Sequence, residues 1–169
     1  MTPARHGRKR SSGFSARCLS LAAALALGIH AGIPALAATT ERIVTGWRTG
    51  LALHGIDPVA YFTDAKPMLG RPEIEYAFGG AVWRFRNEGN RAAFRERPDI
   101  YMPRFGGYDP TALLRGVTIP GYPEFWLILE DRLYIFASSE ARDTFAADPE
   151  GAVPAAQKSW REVIKTLVQ

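Results

Sequence analysis

"VWRFRNEGNRAAFRERPD" (82–99) lies over "LYIFASSEARDTFAADPE" (133–150) at a constant shift of 51 residues. Phe85 then falls on Phe136, Arg91 on Arg142, Phe94 on Phe145 and Pro98 on Pro149. Trp83 meets Tyr134, and two helix-capping candidates, Asn87 and Ser138, coincide. Four identities at one offset, each in the same local context, read as one unit used twice. Two copies make a pseudo-symmetric domain rather than a solenoid.

The flanks of each copy complete the unit. In "EIEYAF" (73–78), Ile74, Tyr76 and Phe78 alternate before Gly79-Gly80, and "AVWRF" (81–85) follows. Period-two alternation around a Gly-Gly turn is a β-hairpin signal. "EYAF" matches "WLIL" in the second copy, with Glu130-Asp131 at the turn. Asn87 then caps a helix bearing Ala92, Ala93 and Phe94, which stops near Pro98. The sheet face supplies aromatic and branched side chains, and the helix covers it with its phenylalanine. Arg91 and Arg142 read as solvated or capping arginines. A last helix is expected over roughly 155–167, where Trp160, Val163, Ile164 and Leu167 form one apolar stripe closing the core. The predicted fold is a small single-domain α+β protein: two β-hairpin–helix (ββα) units and a C-terminal helix. The domain spans 51–169, behind an irregular lead-in at 38–50.

Asp-Pro pairs punctuate the chain. In "HGIDPVAYF" (54–62), Asp57 reads as an N-cap with Pro58 at the first helical position. In "RFGGYDPTALLRG" (104–116), Gly106-Gly107 turn the chain, Asp109 caps, Pro110 starts the helix and Gly116 lies beyond it. As a cap alone, Asp109 should tolerate replacement by asparagine with near-normal folding. "KPMLGRP" (66–72) is a loop by its Pro and Gly content.

Residues 1–37 read as an export signal. Arg5, Arg8, Lys9, Arg10 and Arg17 form a basic start, and Leu19 to Ile33 is nearly all Leu, Ala, Gly and Ile. Ala35-Leu36-Ala37 supplies a small-x-small cleavage pattern. The apolar run is shorter than a membrane span and is broken by His30, Gly32 and Pro34. Cleavage after Ala37, export by the general secretory route, a periplasmic or secreted location and no stable membrane insertion afterwards are the expectations.

Cleavage changes the charge argument. Five of the 21 basic residues and none of the 17 acidic ones lie in 1–37, leaving 16 against 17. The basic balance belongs to the signal, so nucleic acid is not an expected partner. Cys18, the sole cysteine, leaves too, and His54 stays as the only histidine. No thiolate nucleophile or thiolate ligand remains. No G-x-S-x-G element and no phosphate-loop frame is present. No catalytic residue is nominated, and an enzyme is the less favoured reading.

At "HGIDPVAYFTDAKPMLG", "VWRFRNEGNRAAFRERPDIYMPRFGGY" and "PEFWLILEDRLYIF" the chain resembles the exported, single-domain bacterial branch of the YHS-domain family over roughly 50–163. Members share a Gly-Tyr-Asp-Pro-Val-Ala-Tyr-Phe opening, a hairpin and helix, a Gly-Gly-Tyr-Cys-Ala segment, then a second hairpin, helix and Trp-bearing terminal helix. The resemblance implies a binding module concerned with metal handling, copper especially. Here Ala60 and Asp109 stand where metal-binding members carry cysteines, and no Tyr-His-Ser triple is legible.

Two binding readings follow. One is a metal site from His54, Asp57 and Asp109, with copper or zinc as the ion, since carboxylate and imidazole suit the harder ions. The other is a small-molecule or protein interaction module with an aromatic pocket and no metal. Its candidate lining residues are Asp109, Tyr108, Trp47 and Tyr61. Trp83, Trp126 and Trp160 are read as core residues.

Overall fold

The computed structural model describes residues 41–167. The expected export signal and cleavage pattern lie outside them. The protein is α+β, with two separate two-stranded antiparallel sheets and several helices.

The chain enters through residues 41–50, which carry no helix or strand but are pinned. Thr45 and Ala52 form an isolated antiparallel bridge, and Leu51 bridges Val82 in parallel. A tight turn, Leu53–Gly55, leads to the short helix α1 (Ala60–Thr63). Strands β1 (Arg71–Phe78) and β2 (Ala81–Phe85) pair antiparallel across Gly79-Gly80. Helix α2 (Glu88–Glu96) follows, and the Asn87 side chain accepts from the Asn90 N–H as its cap. A single turn, α3 (Pro98–Tyr101), ends this half.

The second half opens with another turn, Arg104–Gly107, and the short helix α4 (Pro110–Leu113). Strands β3 (Tyr122–Leu129) and β4 (Arg132–Phe136) form the second hairpin. Each hairpin breaks register once, between Arg71 and Glu75 and between Tyr122 and Trp126. Helix α5 (Ser139–Ala147) is capped by Ser138, and α6 (Pro149–Val163) by Asp148. The expected helix at 155–167 therefore begins six residues earlier. Pro149 occupies its first turn, where the missing N–H has no intrahelical partner to lose. Pro154 sits one turn further in and the helix continues through it.

Alternation along β4 decides where the core lies. Leu133 and Ile135 point into a cluster with Leu53, Tyr61, Trp83, Phe85 and Phe94. Tyr134 and Phe136 point the other way, into a cluster with Phe105, Leu113 and Phe145. Successive strand residues face opposite sides of a sheet, so one short strand can serve two cores. β2 does not: Trp83 and Phe85 are buried, while Val82 and Arg84 are half-buried. The C-terminal stripe closes a third cluster, with Leu167 buried beside Val44 and Tyr108, and Trp160 and Val163 packed against them.

Candidate functional site

Asp57 and Asp109 are the only buried charged residues among the described ones, at 0% and 2% exposure. Each ties three points of backbone or side chain together. Asp57 Oδ1 accepts from the Val59 N–H at 2.8 Å. Its Oδ2 accepts from the Arg86 N–H at 2.8 Å and from Asn90 Nδ2 at 2.7 Å. Asp109 Oδ1 accepts from the Thr111 N–H and Oγ1, both at 2.7 Å, and Oδ2 from the Ala137 N–H at 2.9 Å. Buried carboxylates are tolerated when their oxygens are satisfied in this way.

This arrangement corrects two expectations. Asp57 is not a helix cap, because α1 begins at Ala60; its first bond closes a turn two residues on, and its other oxygen reaches past β2 into α2. Asp109 does cap α4, yet it also holds the residue after β4. An asparagine there has one acceptor oxygen for two groups of donors, so near-normal folding is not expected of it.

The residues proposed as metal ligands are not gathered. His54 is exposed, at the positive φ of 55° in the first turn, with its ring edge toward Tyr122 at 6.3 Å. Asp57 and Asp109 face inward onto the donors just named. Among the described residues, no three His, Cys, Asp or Glu side chains are placed to hold a metal ion. The copper implied by the resemblance therefore does not fit this donor set. Ala60 is fully buried.

The expected aromatic pocket is also dispersed. Trp47 is 86% exposed with the Arg48 guanidinium 4.6 Å over its ring. Tyr61 is in the core, donating to the Pro123 carbonyl at 3.0 Å and packing on Trp126. Burial, with Glu124 nearby, raises its phenol above the ordinary value, so it stays a donor. Tyr108 is buried, and its hydroxyl donates to the Glu41 carbonyl.

A cavity does exist elsewhere. It has a volume of about 620 Å³ and lies between the entry segment, the β1–β2 turn, the α3–α4 connection and α6. That volume is within the usual range for small-molecule sites, roughly 300–1,000 Å³. Ile43, Met102, Phe105, Trp160 and Ile164 give it apolar walls. Trp160 packs edge-on against Phe105 at 6.0 Å, so a residue read as pure core also fronts this space.

Two arginines enter the cavity wall, Arg42 and Arg104. Arg104 Nη2 donates to Gln157 Oε1 at 2.5 Å, and its guanidinium lies 5.8 Å from the Phe105 ring centre. The Nε of each arginine is buried without a protein acceptor. A buried donor left unpaired costs about 1–3 kcal/mol, more when charged. Neither side chain enters an ion pair among the described residues. Asp99 is the one carboxylate in the wall, and it is engaged by Arg97 at 3.3 Å. That hydrogen bond holds it below the usual carboxylate range.

The cavity depends on one glycine. Gly106 has φ +63°, and a Cβ there would stand 1.9 Å from the Arg42 carbonyl oxygen. Its own carbonyl accepts from the Val44 N–H at 2.8 Å, docking the entry segment. Gly106→Ala should lower stability by roughly 2–4 kcal/mol, from left-handed strain plus overpacking. Urea unfolding measures this; a change under about 1 kcal/mol would show that the segment is not held so closely.

No described helix is long and apolar enough to cross a membrane. Comparison of the chain with protein-family models, with curated proteins and with solved structures returned no match.

Proposed function

We propose that this chain is an exported, YHS-domain-like binding module that takes up a small molecule and does not turn it over. The cavity of about 620 Å³ between the entry segment and α6 carries the reading. Apolar walls with a few polar groups are the usual make-up of such sites. The pocket replaces the metal as the functional centre, since the carboxylates nominated as ligands hold the backbone instead.

The same proposal takes the fold as a duplicated ββα unit. Its support is that bonds recur at an offset of 51 or 52 residues. The Asp57 N–H donates to Met68 O as Asp109 N–H does to Ile119 O, and Gly70 N–H to Gly55 O as Gly121 N–H does to Gly107 O. The caps Asn87 and Ser138 recur in the same register. On this reading the pocket lies beside α6, which runs for 15 residues where α3, at the matching place in the first copy, has four.

Binding of the uncharged probe N-phenyl-1-naphthylamine, followed by its fluorescence, tests the pocket. One saturable site is expected. Met102→Trp, which pushes a bulkier ring into the cavity, should weaken binding at least tenfold while leaving the unfolding midpoint within a few degrees. Equal binding by this variant would remove the cavity from consideration.

A further inference from the structure

The cavity's polarity is one-sided, and this narrows what it binds. Arg42 and Arg104 both enter its wall, each with a buried Nε that meets no protein acceptor. Arginine carries five N–H donors and keeps its charge throughout the accessible pH range, so it needs an anion or several neutral acceptors. Gln157 supplies one neutral acceptor, to Arg104 alone. Asp99 pairs with Arg97, at 3.3 and 3.4 Å, and not with Arg42 or Arg104.

Position strengthens the inference. Arg42 belongs to the entry segment and Arg104 to the turn before α4, 62 residues apart in the chain. The contact of Gly106 with the Arg42 carbonyl brings these two segments together. Two like charges placed in one wall repel unless a counter-charge lies between them. Apart from Gln157 and Asp99, the side chains of the remaining wall are apolar, among them Ile43, Met102, Trp160 and Ile164. An oxyanion head and a hydrocarbon or aromatic body match these two parts together.

We propose that the cavity binds an amphipathic anion, its carboxylate or phosphate head held by Arg42 and Arg104 and its body lying against Met102, Trp160 and Ile164. This rests on the pocket reading above and adds the ligand's charge. Guanidinium groups bind carboxylate and phosphate through paired, charge-assisted hydrogen bonds. The apolar body supplies the rest of the affinity by leaving water.

Calorimetric titration of the purified protein with four ten-carbon probes tests it, each below its micelle-forming concentration: decanoate, decyl phosphate, decanol and decyltrimethylammonium. Decanoate or decyl phosphate, or both, should bind at one site at least tenfold more tightly than decanol, and the cation least. Which anion is tighter identifies the head. Arg104→Gln and Arg42→Gln should each cost the preferred anion roughly 10- to 100-fold in affinity and leave decanol within about threefold. Arg104→Lys, which keeps the charge but not the fork, should fall between wild type and Arg104→Gln. Circular dichroism of each variant confirms that it is folded. Decanol binding as tightly as the anions overturns the anion proposal and leaves the pocket standing. So does anion affinity untouched in both folded glutamine variants. Failure of all four probes to bind overturns both.

Discussion

Asp57→Ala should destabilise the protein by about 3–5 kcal/mol, one of the two largest effects expected of any single change here. The carboxylate is fully buried and accepts three hydrogen bonds, from the Val59 and Arg86 N–H groups and Asn90 Nδ2. Removing it leaves those donors facing a small cavity that offers no replacement. The effect also exceeds that of an ordinary cap, about 1 kcal/mol, because the donors come from three separate places. They are the turn before α1, the end of β2 and the first turn of α2. Asparagine at either Asp57 or Asp109 should fall between wild type and alanine, since one oxygen survives. Urea unfolding of the alanine and asparagine variants settles the order. A loss below about 1.5 kcal/mol for Asp57→Ala would mean that Asp57 does not join these segments.

Phe94→Ala is the second large effect, again about 3–5 kcal/mol. Phe94 is fully buried, and its ring lies 5.0 Å from Trp83, 5.2 Å from Phe85, 6.1 Å from Phe78 and 6.4 Å from Tyr76. It is the one fully buried side chain of α2, so the helix has no second anchor of that kind. Truncation leaves a void walled by four aromatic rings, which are too rigid to collapse into it. The near-ultraviolet circular dichroism signal of Trp83 should weaken alongside the loss of stability. Full retention of that signal, with a loss under about 2 kcal/mol, would show that α2 is held mainly by its Asn87 cap. Phe145 makes the corresponding contacts in the second half, at 5.3 Å to Tyr134 and 5.4 Å to Phe136.

The α+β class and the hairpins were readable because alternation and turn residues are local signals. Ile74, Tyr76 and Phe78 ran into Gly79-Gly80, and β1 and β2 formed around that pair. Asn87 and Ser138 announced the starts of α2 and α5 by side-chain chemistry that acts within three residues. The two aspartates were readable only in part. Their bonds to Val59 and Thr111 are local, but those to Arg86 and Ala137 span 29 and 28 residues. No spacing rule carries that information.

The candidate site was the least legible part. Tyr108 and Asp109 were drawn to notice by their neighbours Gly106 and Gly107, yet they were pulled into the core as the segment folded. Arg104 stands at the head of the same stretch, where no local signal marks it out. Its importance arises from meeting Arg42 in one wall, which depends on a backbone approach at Gly106. An apolar neighbourhood was visible just after Arg42, in Ile43 and Val44, but nothing in sequence related it to Arg104.

β4 has one further consequence. Its residues from Leu133 to Phe136 are buried on both faces, whereas β2 keeps Val82 and Arg84 toward the surface. A substitution on either face of β4 therefore reaches one core directly and the other through a shared backbone. The first hairpin has an outer side on which sequence can drift; in the second, β3 keeps exposed and half-buried positions, but β4 has no such side. Variation should collect on the β1–β2 surface, and the four residues 133–136 should be the stretch where mutation has least freedom.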